Sequence, residues 1–175
     1  MAITLATMNV RGLRDPSRAS AFLQDLRAHH VDVAAVQETH FVCEADGRLI
    51  ANDFIVHSSY GDRDSRGVSL LVKRTLGAAV NIIHSGIDGR LLVADIAVGD
   101  DAFRVVAVYA PNIAAMRRLY LQRLEEFLTD SKRLVLMGDW NAILDPEIDS
   151  GTSRGVTGAG LTREKAARAT ATSAD

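Results

Sequence analysis

The sequence predicts an α/β or α+β sandwich. Three observations point to it: a β-α-β opening, a middle stretch of short apolar runs divided by turn residues, and a second helix followed by a last apolar run. Ile3 to Met8 is an apolar run of strand length. Arg11 to Asp15, with Gly12 inside it, reads as a loop. Asp15-Pro16 then opens a helix, with Asp as the N-cap and Pro at the first helical position. Ala19, Phe22, Leu23 and Leu26 recur at helical spacing and mark its buried face. The helix is expected to end near His29 and His30, and Val31 to Val36 forms the next strand. Such an opening suits a parallel strand pair joined by a right-handed crossover.

Phe54 to Val56, Gly67 to Val72, Val80 to Ile83, Leu91 to Val98 and Phe103 to Tyr109 continue as strands. Gly77, Gly86, Asp88-Gly89 and Gly99-Asp100-Asp101 punctuate them as turns do. Met116, Leu119, Tyr120, Leu124, Phe127 and Leu128 form one stripe on a helix spanning Met116 to Leu128. Leu134 to Met137 is expected as a last buried strand. Past Gly151 bulky apolar residues almost vanish, apart from a short helical pattern at Arg163 to Ala169. The expected organisation is one domain over residues 1–150 and a disordered or loosely packed tail over 151–175.

Hydrophobic residues make up 47% of the chain but aromatics only 5%, so Val, Ile, Leu and Ala must fill the core. The formal charge of −2 argues against a generic nucleic-acid binder, which is usually basic. Clusters at Arg11, Arg14 and Arg18, at Arg63, Arg66, Lys73 and Arg74, and at Arg117, Arg118 and Arg123 read first as solvated faces. A metal-dependent nuclease also needs acidic groups at its centre, so a near-neutral total is compatible with one. Cys43 is the single cysteine, which excludes an intrachain disulfide and a cysteine-ligated zinc site, and fits a reducing, intracellular compartment. The first seven residues lack a basic leader, and no apolar run nears the roughly 20 residues of a membrane helix, so no membrane partner is expected.

Four strands run into polar groups: the first into Asn9, the second into Gln37 and Glu38, another into Tyr109-Ala110-Pro111-Asn112, and the last into Gly138-Asp139-Trp140-Asn141. Alone, each has an ordinary reading as a turn former, an edge residue or a core aromatic. Ligands in open α/β sheets bind outside the carboxyl ends of strands. If these ends converge, Asn9, Glu38, Tyr109, Asn112, Asp139 and Asn141 form one cluster. Carboxylates suit Mg²⁺, and amides and a phenol donate hydrogen bonds to phosphoryl oxygens.

The same segments carry a resemblance. Asn9-Val10-Arg11-Gly12-Leu13, Gln37-Glu38-Thr39, Tyr109-Ala110-Pro111-Asn112 and Gly138-Asp139-Trp140-Asn141 resemble, in order, the motifs of the endonuclease/exonuclease/phosphatase superfamily. Arg66-Gly67-Val68 and Leu144-Asp145-Pro146 look most like its LINE-type retrotransposon endonucleases. The resemblance covers about Ile3 to Asp149 and implies a four-layer αββα sandwich of the deoxyribonuclease-like type, incomplete at the C-terminus. It implies Glu38 as the principal metal ligand, with Asn9 supporting the metal site. Tyr109 and Asn112 would contact the scissile phosphate, Asp139 would handle a proton of the attacking water or leaving group, and Asn141 would hold phosphate oxygens. The implied cofactor is Mg²⁺ or Mn²⁺ and the implied substrate is DNA. A reverse transcriptase is expected elsewhere in a parent polyprotein, and the location would be nuclear for a functional retrotransposon product, otherwise cytoplasmic.

Two departures stand out. Arg11 occupies a place where abasic-site nucleases often carry an acid. The late Ser-Asp-His segment of the family has no match after Ser150. His29 and His30 read as helix C-terminal residues, His57 and His84 as strand-end surface residues, and His40 as able to approach Glu38. A C-terminally truncated, inactive nuclease is therefore one expectation. A phosphatase acting on phosphomonoesters and a non-catalytic, weakly nucleic-acid-binding fragment stay open beside the nuclease.

Overall fold

Apolar alternation sets the layers of this fold. The computed structural model describes residues 2–86, 88–128 and 132–142. The chain divides after Asn141, and the architecture below is that of Met1–Asn141. The predicted boundary at residue 150, the tail 151–175, the Arg163–Ala169 helix and Leu144-Asp145-Pro146 lie outside the described residues.

The first sheet contains β1 (Leu5–Asn9), β2 (Val33–Gln37), β3 (Phe54–Ser59) and β4 (Val68–Lys73), in the order β1-β2-β4-β3. The second contains β5 (Ala79–Ser85), β6 (Leu91–Val98), β7 (Asp101–Tyr109) and β8 (Arg133–Asp139), in sequence order. Each sheet has one parallel pair. β1 and β2 are joined through helix α1 (Pro16–Ala28), and β7 and β8 through helix α2 (Ala114–Leu128). All other pairings are antiparallel.

Successive side chains of a strand point to opposite faces, and β2 is buried on both. Val33 and Ala35 join Val68, Leu70 and Val72 in a core shared with Leu92, Ala94, Ile96, Val105 and Ala107 of the second sheet. Ala34 and Val36 face outward to Phe22, Leu23 and Leu26 of α1. On the far side, Leu124 of α2 packs with Val93, Val106 and Val108. Helix, sheet, sheet and helix make the four-layer αββα sandwich.

The predicted capping of α1 is observed: the Asp15 carboxylate accepts from the Arg18 N–H at 2.9 Å, and Ala19, Phe22, Leu23 and Leu26 are its buried residues. Two expectations need correction. Met116 and Leu119 do not join the buried stripe of α2, for they are 56% and 59% exposed. The last strand is only half covered, with Leu134 and Leu136 exposed while Met137 is buried. The reason is shared: β8 ends the second sheet, and the buried face of α2 lies over β6 and β7. Among the described residues no helix is long and apolar enough to cross a membrane.

Candidate active site

Because β1 pairs with β2 and β7 with β8 in parallel, the carboxyl ends of each pair lie side by side. Asn9 is in register with Gln37, and Tyr109 with Asp139. Glu38 follows directly on β2. The two sheets bring these ends against one another. Asn9 Nδ2 donates to Glu38 Oε1 and to Asp139 Oδ2, both at 2.8 Å. Tyr109 Oη donates to Glu38 Oε1 at 2.8 Å. The Asn141 N–H donates to Asp139 Oδ1 at 3.0 Å, and Asn141 Nδ2 donates to Ala110 O at 2.7 Å. Five of the six residues named from the sequence thus meet. Asn112 does not join them: it is exposed beyond Pro111, and its backbone carbonyl accepts from Arg117 Nη1 at 3.0 Å.

The local backbone is unusual. Arg11, Glu38, His40, Arg66 and Asn141 all have positive φ, between 46° and 67°. Left-handed conformations of residues other than glycine cost roughly 1–2 kcal/mol each, and such strain concentrates at functional sites. Neighbouring backbone holds the Glu38–His40 turn in place. Gly12 N donates to Glu38 O, Leu13 N to Thr39 O, Thr39 N to Gly67 O and His40 N to Arg66 O. Close packing also explains the glycine before Asp139. A Cβ on Gly138 would lie 2.0 Å from Val108 O.

Gln37 is structural: it is buried, and its Nε2 donates to Ala35 O and Thr7 Oγ1. His40 does approach the site: its buried Nε2 lies 3.8 Å from Glu38 Oε2 and has no hydrogen-bond partner among the described residues. Burial, then the Glu38 hydrogen bond and charge, push the Tyr109 hydroxyl up to about 12. At neutral pH it is therefore a proton donor. One neighbour was missed by sequence reasoning: the Arg90 guanidinium lies 5.0 Å from the centre of the Tyr109 ring. Its only sequence signal is a position just after the Asp88-Gly89 turn.

The donor set suits a hard cation. No group of three or more His, Cys, Asp or Glu gathers among the described residues. Two carboxylates stand here with an amide between them. Mg²⁺ commonly takes one or two protein carboxylates and keeps several waters. Glu38 Oε1 already accepts from Asn9 and Tyr109. The Asn9 amide nitrogen faces the two carboxylates, while its oxygen accepts from Arg11 N at 3.2 Å. Asn9 thereby holds the carboxylates together.

The sequence that builds this site matches a known family. The family model described as the endonuclease/exonuclease/phosphatase family matches residues 6–160. The chain belongs to that family. The chain is 29% identical over 156 residues to the "Transposon TX1 uncharacterized 149 kDa protein" of Xenopus laevis, covering 83% of this chain and 11% of that protein. The chain therefore spans about a tenth of that relative's length. A solved AP endonuclease from Archaeoglobus fulgidus is 26% identical with a TM-score of 0.58, over 83% of this chain and 60% of that one. The endonuclease domain of TRAS1, a telomere-specific non-LTR retrotransposon, is 17% identical with a TM-score of 0.59, over 81% and 60%. The solved structures agree with the fold read from the sequence, and the Xenopus relative is a transposon protein.

Proposed function

We propose that this chain is the endonuclease part of a retrotransposon-type protein, cleaving phosphodiester bonds of DNA with Mg²⁺ or Mn²⁺. The observation that carries the reading is the single hydrogen-bonded cluster of Asn9, Glu38, Tyr109 and Asp139, drawn from both sheets. Glu38 is the residue that would hold the metal, with Asn9 supporting the site through its hydrogen bond to Glu38 Oε1. When bound, the metal would supply a Lewis acid for the phosphoryl oxygens.

The chain's own groups divide the remaining work. Tyr109, protonated at neutral pH, donates toward negative charge beside Glu38. Asn9 keeps the two carboxylates aligned. Asp139 takes a proton from the attacking water as the water oxygen bonds to phosphorus; the bond from phosphorus to the ester oxygen breaks, and that oxygen leaves with the proton that Asp139 has accepted. The Asn141 N–H fixes the Asp139 carboxylate for that task. Asn141, whose Nδ2 already donates to Ala110 O, is assigned to phosphate oxygens, and Asn112, set apart from the cluster, is given no part in the step. The transposon relative supports a longer parent protein, for which a reverse transcriptase domain is the partner we propose.

Nicking of supercoiled plasmid by the purified chain tests this reading. Cleavage is expected with Mg²⁺ or Mn²⁺, is lost with a chelator, and falls at least about 10²-fold in Asp139→Asn, the usual scale for acid–base groups. Glu38→Ala should abolish it. Nicking that survives Glu38→Ala refutes the site assignment, and a wild-type chain that never nicks refutes the function.

A further inference from the structure

Arg90 sits at a convergence that the reaction above does not use. It lies just before β6, and its backbone carbonyl accepts two hydrogen bonds, from Tyr109 N and from Tyr120 Oη of α2, each at 2.8 Å. Its main chain is thus pinned to β7 and to the outer helix. Its side chain is 21% exposed and lies over the Tyr109 ring, 5.0 Å from the centroid. Nη1 donates to Tyr109 O at 3.4 Å, and Nε is 3.9 Å from the Asp88 carboxylate. A guanidinium over an aromatic face is attracted by the ring quadrupole. The other end of that ring carries the hydroxyl donated to Glu38 Oε1.

From this geometry we infer that Arg90 is a positioning residue for Tyr109. It clamps the ring so that the hydroxyl crosses from the second sheet to Glu38 on the first. The inference rests on the endonuclease reading for its effect on rate, but its structural content stands apart. Four side chains tie the two sheets at the site, and Tyr109 is the longest reach among them. It has no hydroxyl partner besides Glu38 in the described hydrogen bonds. Apart from Arg90, the described restraints on the ring are the packing of the buried core around it and the Glu38 hydrogen bond itself.

The experiment compares Arg90→Lys, Arg90→Met and Arg90→Ala, alone and with Tyr109→Phe, in the full chain. The strength usual for such cation–aromatic pairs corresponds to about 2- to 30-fold. Arg90→Met and Arg90→Ala are expected to lower kcat for nicking about tenfold with KM little changed, and Arg90→Lys to restore most of it. With Tyr109→Phe, which removes the hydroxyl, the same Arg90 changes should cost less than about twofold. An equal loss in both backgrounds, or a raised KM with kcat intact, overturns the inference and makes Arg90 a direct substrate contact. A crystal structure of Arg90→Met supplies a readout free of activity. Tyr109 Oη should leave hydrogen-bond distance of Glu38, and retention of the 2.8 Å contact overturns the inference. If the wild type does not nick DNA, the crystal structure decides alone, and a displaced Tyr109 then upholds Arg90's role while the endonuclease reading falls. Should Arg90→Met not fold, Arg90→Gln, which also removes the charge, carries the structural comparison.

Discussion

Glu38 shows how much of this site is made at single residues. Its left-handed backbone, φ 55°, turns the chain sharply at the end of β2 and leaves its carboxylate facing Asn9 and Tyr109. The motif spacing made Asn9, Glu38, Tyr109 and Asp139 legible because each ends a strand, and strand ends are where parallel sheets place functional groups. Asn112 was named on the same logic, but Pro111 carries the chain away and leaves it exposed. Arg90 was not legible, because nothing in a sequence tells a ring-stacking arginine from a solvated one. Gly138 marks the tightest spot. Its φ is 154°, and a side chain there would meet Val108 O. Gly138→Ala is therefore expected to cost about 3 kcal/mol by forced backbone displacement. It should also displace Asp139, so nicking should fall further than the unfolded fraction explains. Urea denaturation beside plasmid nicking checks both, and an unchanged midpoint would contradict the close packing.

Elements differ in how much of their structure the sequence carries, for physical reasons. Helix α1 was legible to its cap and its four buried residues because cap chemistry and a 3.6-residue period are local signals. Three short 3₁₀ turns, at Glu44–Gly47, Ile50–Asn52 and Arg74–Leu76, carry no period and were missed. The stripe on α2 was overextended because periodicity shows an apolar face but not how wide a sheet lies beneath it. The β6–β7 hairpin adds a charged pair to that second sheet. Asp95 and Arg104 are in register, and Arg104 Nε and Nη2 donate to the Asp95 carboxylate at 2.7 and 3.1 Å. Lys132 also reaches that carboxylate. The Arg104 hydrogen bond, chiefly, holds the Asp95 carboxyl below the usual carboxylate range. A depressed folded pKa gives stability that is present above the unfolded value, about 3.9, and is lost as pH falls through the folded one. Urea midpoints should therefore drop as pH is lowered below about 4. Asp95→Asn should shallow that drop without removing it, because Asp46, held down chiefly by the Val42 N–H, contributes in the same direction. A pH dependence identical in wild type and Asp95→Asn would mean the hairpin pair adds nothing.

At the scale of the whole molecule, the site exists because two β-α-β units, one per sheet, point their parallel pairs at the same edge. One supplies Asn9 and Glu38, the other Tyr109 and Asp139. The fold class was legible because the strand and helix patterns alternate in blocks. Which strand ends would meet was not, since that depends on the packing of two sheets whose faces look alike in sequence. The layer between the sheets must therefore carry much of the stability. Leu70 lies in it with no exposed surface, while Leu119 on α2 is 59% exposed. Leu70→Ala is expected to cost 2–5 kcal/mol, about the range for buried leucines, against a total of roughly 5–15 kcal/mol for a domain. Leu119→Ala should stay within about 0.5 kcal/mol. Urea unfolding of the two variants, with m unchanged, measures the difference. Equal losses would mean that Leu119 is buried in solution and that the α2 stripe extends as its periodicity suggested.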